Sequence, residues 1–179
     1  MQQTVQEKLA EGPMFDNGIV EHHFTPYLRD YDIVVEAVAP SPKGNRFYVE
    51  GYYRYRFSHC VVAHVETAVQ DKAWRNSWDD VFIDFETWQK AGSPDGYVWG
   101  VCYSAVYPGL TYVEGSHLAH EWSERLGKPM HEVFIETNGH NIQLVFHDIK
   151  IDKIAQGNPE TKEITPIEVK NSSGFLPFR

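Results

Sequence analysis

The sequence predicts a mainly β fold: an antiparallel β-sandwich or open barrel with one α-helix packed across an end. Three observations carry this. From 53 to 69 the odd positions read Tyr53, Tyr55, Phe57, His59, Val61, Ala63, Val65, Thr67 and Val69, and the even ones Arg54, Arg56, Ser58, Cys60, Val62, His64 and Glu66. That period of two is a strand with one face inward. Asn138-Gly139 separates two further strand-like runs, a hairpin signal. Ten Tyr, ten Phe and five Trp supply the aromatic side chains that strands favour.

Taken in chain order, residues 1–14 read as a polar leader of one or two helical turns, ended by Gly12-Pro13. Residues 18–24 (GIVEHHF) and 31–39 (YDIVVEAVA) read as strands, the second closed by Pro40, Pro42 and Gly44. The length of 53–69 predicts a bent strand, or two joined at a bulge. Residues 81–88 alternate again, with Val81, Ile83 and Phe85 on one face and Phe82, Asp84, Glu86 and Trp88 on the other. Ser93-Pro94-Asp95-Gly96 turns the chain into a central strand, 97–106. A helix is predicted at about 117–126. Ser116 caps it, Gly127 ends it, and Leu118, Trp122 and Leu126 form its buried stripe. Strand 131–137 turns back through a type I′ Asn-Gly into 141–154. There the apolar parity changes near His147-Asp148 and predicts a bulge. The organisation is thus a leader (1–14), one β-rich domain (15–154) and a Pro-, Gly- and Ser-bearing tail (155–179).

A chain of 179 residues buries a core without needing metals or disulfides. Its formal net charge is -9. Nucleic acid and anionic membranes call for Lys and Arg, so the acidic balance points away from both and toward a basic protein partner. The start, MQQTVQEKLAEG, lacks the apolar core of a secretory signal, and no long apolar run exists, so the expected location is cytoplasmic. Cys60 and Cys102 lie in apolar runs with no CxxC spacing and read as buried, reduced thiols.

Three constellations could carry chemistry. His117, His120 and Glu121 share a face of the predicted helix, and imidazole with carboxylate suits zinc; a solvated polar face explains them equally well. Asp79, Asp80, Asp84 and Glu86 cluster around the 81–88 strand. On a strand, Asp84 and Glu86 would sit roughly 7 Å apart on one face, as an acid–base pair for hydrolysis or as ordinary exposed carboxylates. Trp78, Trp88 and Trp99 could stack on sugars nearby but read more simply as core. Arg54 and Arg56 make a fork for a carboxylate or phosphate, or pair across strands with Asp84 and Glu86. No P-loop, GxGxxG or GxSxG occurs.

FTPYLRDYDIVVEA (24–37), YRYRFSHCVVAHVET (53–67), WDDVFIDFETW (78–88), YVWGVCYSAVYPGLTY (97–112) and MHEVFIETNGHNIQLVFHDIKI (130–151) together resemble the YxiG-like family of uncharacterised bacterial proteins. The resemblance implies a small bacterial cytosolic β-rich protein. Some such families sit beside polymorphic toxin genes, which implies an immunity-like role. It brings no catalytic residues to carry over. The expected function is therefore an acidic binding protein, using Asp79, Asp80, Arg54 and Arg56, that meets a basic protein partner without a cofactor. The alternatives are a hydrolase, metal-assisted through His117, His120 and Glu121 or carboxylate-based through Asp84 and Glu86, and a small-molecule or carbohydrate binder.

Overall fold

The structure, a computed structural model, describes residues 3–42, 47–68, 85–94, 104–158, 160 and 163–167. Its strands are β1 (Gly18–Phe24), β2 (Tyr31–Pro40), β3 (Phe47–Ser58), β4 (Val62–Thr67), β5 (Ser104–Ala105), β6 (Gly109–Tyr112), β7 (His131–Glu136), β8 (His140–Phe146), β9 (Asp148–Gly157) and β10 (Ile164–Pro166). Its helices are α1 (Val5–Glu11), α2 (Phe85–Lys90) and α3 (His117–Leu126). The strands form two open antiparallel sheets, β10-β9-β3-β2-β1-β5 and β4-β8-β7-β6. The fold is mainly β, as expected, and takes the sandwich form.

The core lies between the sheets. Tyr31, Ile33, Val35, Tyr55, Phe57 and Ile149 of the larger sheet meet Val133, Ile135, Ile142, Leu144 and Phe146 of the smaller. Phe57 and Phe146 pack edge to face at 4.8 Å between centroids. Burying each such side chain contributes about 1.5–3 kcal/mol.

The alternating run at 53–69 differs from one continuous strand. It is β3 followed by β4, and the segment between them carries the chain from the larger sheet to the smaller. His59 makes that corner at φ 50, with its N–H donating to Asp30 at 3.0 Å. The inward parity holds along β3, where Tyr55 and Phe57 are fully buried. It fades along β4, an edge strand on which Val65 is 38% exposed. The parity change at His147-Asp148 marks a second crossing rather than a bulge, since β8 belongs to the smaller sheet and β9 to the larger. The two crossings lie side by side. His147 N–H donates to the Ser58 carbonyl at 2.9 Å, and Val61 N–H to that of Val145 at 2.8 Å.

Asn138-Gly139 does join two paired strands, with Ile135 opposite Ile142. The turn is not type I′, because neither residue has a positive φ. The Thr137 side chain organises it instead, accepting from the N–H groups of Gly139 and His140 and donating to the His140 carbonyl. The expected strand at 81–88 is overturned over its described part: α2 begins at Phe85. Four alternating residues fit either period. The helix gains the Glu86–Lys90 pair one turn apart, and Trp88 Nε1–H donates to the Pro94 carbonyl. Residues 81–84 lie outside the described residues, as does the 97–103 part of the expected central strand, which leaves β5 beside β1.

α3 has the expected cap, with Ser116 accepting from Ala119 N–H at 2.9 Å, and the expected stop at Gly127, φ 61. Its buried stripe is shifted. Ala119 is buried with Leu118 and Trp122 against Met130 and Val145, whereas Leu126 is 43% exposed. At the other end of the chain, α1 is locked by a capping box between Thr4 and Glu7. Val5 and Leu9 bury into the main core. α1 stands between β9 and β6, with a groove on either side. In the segment beyond residue 154, β9 continues to Gly157 and β10 pairs with it. Among the described residues no helix is long and apolar enough to cross a membrane.

Candidate functional site

Asp79, Asp80 and Asp84 lie outside the described residues. Glu86 is on α2, with its side chain 81% exposed and 3.6 Å from Lys90. Its placement on a strand face beside Asp84, which the carboxylate-pair reading required, does not hold.

Arg54 and Arg56 share the outer face of β3, as the parity requires, and among the described residues their partners are Asp152 and Asp32 rather than Glu86. Arg56 makes a two-pronged bond to Asp32 on β2, at 2.8 and 2.6 Å, and Asp32 is 5% exposed. The Asp32 contact and charge hold the Arg56 guanidinium above its usual value against burial. Arg54 reaches Asp152 on β9 at 3.4 Å, and Lys150 joins the same carboxylate at 3.0 Å. Arg54 Nε is buried without a hydrogen-bond partner. Both arginines are thus used in cross-strand pairing within the sheet.

His117, His120 and Glu121 do share the exposed side of α3. His117 Nδ1 lies 3.6 Å from Glu121, while His120 Nε2 lies 3.5 Å from Glu124 instead. The two imidazoles therefore diverge to different carboxylates. Among the described residues no group of three or more His, Cys, Asp or Glu side chains is arranged to hold a metal ion.

Beneath α3 is a polar cleft of about 210 Å³ that the sequence did not signal. Glu132 of β7, 9% exposed, accepts from the Ser116 hydroxyl and from the Gln143 amide at 2.7 Å. His131 Nδ1 shares a hydrogen bond of 2.8 Å with the Tyr112 hydroxyl. Burial, aided by the nearby His147, lowers the His131 pKa, and burial with the Glu114 charge raises that of Tyr112. Ser116 is already committed as helix cap and carboxylate donor, so the cleft is a satisfied polar joint between α3 and the sheet.

The two grooves beside α1 are larger. The one toward β9 holds about 600 Å³ and is lined by Lys8, Glu11, Tyr53, Asp148, Lys150, Lys153 and neighbouring residues. Lys8 pairs with Asp148 at 2.6 Å, and Lys153 lies over the Tyr53 ring and pairs with Glu50 at 3.3 Å. Burial pulls the Asp148 pKa up, but the Lys8 contact and the Ile149 N–H outweigh it and hold the carboxyl low. The groove toward β6 holds about 360 Å³ and is lined mainly by apolar residues, Leu9, Ala10, Met14, Phe15, Pro108 and Leu110 among them, with polar atoms exposed between them. Phe15 and Tyr107, each 63% exposed, stand with ring centroids 6.4 Å apart. Glu7 and Asp16 are exposed and lie next along the chain to Gln6 and Phe15 of this groove, while Glu11 lines the groove toward β9. Reading residues 1–14 as a leader hides the α1 side of both grooves. The signal was there in Thr4-x-x-Glu7 and the four-residue spacing of Val5 and Leu9.

These features define a class: a two-sheet antiparallel sandwich whose open side is closed by an N-terminal helix, flanked by one charged and one apolar groove. The YxiG-like protein family matches residues 2–163, and the chain belongs to that family. No curated protein matches the chain.

Proposed function

We propose that the protein acts by binding, and that its partner is a basic protein held through carboxylates; an immunity-like blocking role fits this reading. The observation that carries it is a groove lined mainly by apolar residues, with the exposed carboxylates Glu7 and Asp16 next along the chain to its Gln6 and Phe15, in a chain of net charge -9. An apolar centre with a charged rim is the anatomy of a protein interface, and a uniform sign steers an oppositely charged partner. Asp79 and Asp80 add to the same charge. The test is capture of basic proteins from a bacterial lysate. Capture should be strong near 0.01 M salt, where the Debye length is about 30 Å, and much weaker near 0.1 M, where it is about 10 Å. It should fall with Glu7→Gln/Asp16→Asn or with Asp79→Asn/Asp80→Asn. Capture indifferent to salt and to both pairs of substitutions overturns the reading.

A second reading, a small-molecule binder, is favoured by the groove between α1 and β9. Its volume of about 600 Å³ and mixed lining suit a ligand pocket. Ligand-induced thermal stabilisation in a metabolite screen, lost in Lys153→Met, is its test.

A further inference from the structure

The apolar groove lies against a strand edge. Val113 N–H donates to the Glu132 carbonyl at 3.0 Å, and the β6–β7 register sets Thr111 opposite Phe134 and Gly109 opposite Glu136. In an antiparallel pair, alternate residues turn their backbone groups to the partner strand. Gly109, Thr111 and Val113 therefore face β7, and Leu110 and Tyr112 present N–H and C=O to the other side. Among the described residues no strand pairs along that side. Such an edge is a template for an added strand.

We propose that β6 takes an extended segment of the partner, bearing Lys or Arg, as an added strand, with the segment's apolar side chains in the groove between α1 and β6. This rests on the basic-partner reading and names how that partner is held. Extended form follows from the edge, since a helix satisfies its own backbone and leaves Leu110 and Tyr112 unused. Apolar side chains follow from the lining and from the exposed rings of Phe15 and Tyr107. Basic side chains follow from charge complementarity. Glu7 and Asp16 are exposed and follow Gln6 and Phe15 of the groove along the chain, none of the groove's described lining residues is basic, and Lys8 faces the opposite groove, held by Asp148.

The test uses the full chain and a short fluorescent peptide of alternating lysine and valine, read by polarisation at low salt. Saturable binding is expected. It should weaken by about tenfold or more when every peptide N–H is methylated, because the edge hydrogen bonds are lost. It should also weaken with Phe15→Ser, a change at an exposed side chain that leaves the core intact, and with a glutamate–valine peptide. Equal binding of the methylated peptide, or of the acidic one, overturns the proposal. So does concentration-dependent self-association that Phe15→Ser abolishes while the peptide fails to bind, since the occupant is then a second copy of the chain. The two readings fail separately. Salt-sensitive capture that persists in Phe15→Ser and under excess peptide leaves the basic partner standing and removes the added strand. Loss of all salt-sensitive capture removes the partner reading itself.

Discussion

Phe57 is fully enclosed and lies edge-on to Phe146, so Phe57→Ala opens a cavity in the middle of the sandwich. Its expected cost in denaturant unfolding is about 3–5 kcal/mol. Arg56 matters for a different reason. Arg56→Met leaves Asp32 buried without its two-pronged partner, a loss of about 3–5 kcal/mol, whereas Asp32→Leu with Arg56→Met should recover most of it. The histidines set a pH dependence. His131 and His59 have pKa values lowered chiefly by burial, with His147 adding to both and Lys128 and Arg29 to His59. The folded chain then holds fewer protons than the unfolded one, so stability rises with pH. It is fully present above the ordinary histidine value of about 6.5 and is lost as pH falls through the lower folded values. Thermal unfolding followed across that window should show the decline, and His131→Gln should flatten it.

Ser116 joins two elements, because its hydroxyl caps α3 and donates to Glu132 of β7. Ser116→Ala should cost about 1 kcal/mol in chemical unfolding for the cap alone, and more if Glu132 is left short of a donor. Elements of this kind were legible in the sequence, since a cap and a stop are written locally at Ser116 and Gly127. The β7–β8 pairing was legible for the same reason, with Asn138-Gly139 between two apolar runs. β3 and β4 were not, because alternation records which residues face inward and not which sheet they face from. α2 was hidden because 85–88 is too short to separate the two periods. Of the candidate side chains, the outward parity of Arg54 and Arg56 was legible. Their partners Asp32 and Asp152 were not, because both come from strands distant in the chain and only the strand order brings them together. The apolar groove was illegible for a related reason: it forms where a segment read as a leader meets a strand about a hundred residues later.

At the scale of the whole molecule, the salt dependence expected of the proposed capture would draw on the summed charge of -9 as well as on the carboxylates nearest the partner. The arrangement of the two sheets has a mechanical consequence. At Ser58–Val61 and at His147 two antiparallel chains pass together from one sheet to the other, still paired to each other on both sides of the bend. That corner is a covalent hinge, and the sheets cannot separate there without breaking both ladders. The far edge is tied as well, since β5 of the larger sheet runs on through residues 106–108 into β6 of the smaller and Ala105 N–H donates to Asn138 Oδ1 at 3.0 Å, whereas α1 is held between β9 and β6 by the packing of Val5 and Leu9 and by the Lys8–Asp148 pair. With both edges tied, the element freest to open is α1, a two-turn helix outside both ladders. In native-state hydrogen exchange, the amides of α1 should exchange through a low-energy opening. Those of Val61, Val145 and His147 should wait for global unfolding. The proposed partner would then lie against α1, and slower exchange along that helix would report its arrival.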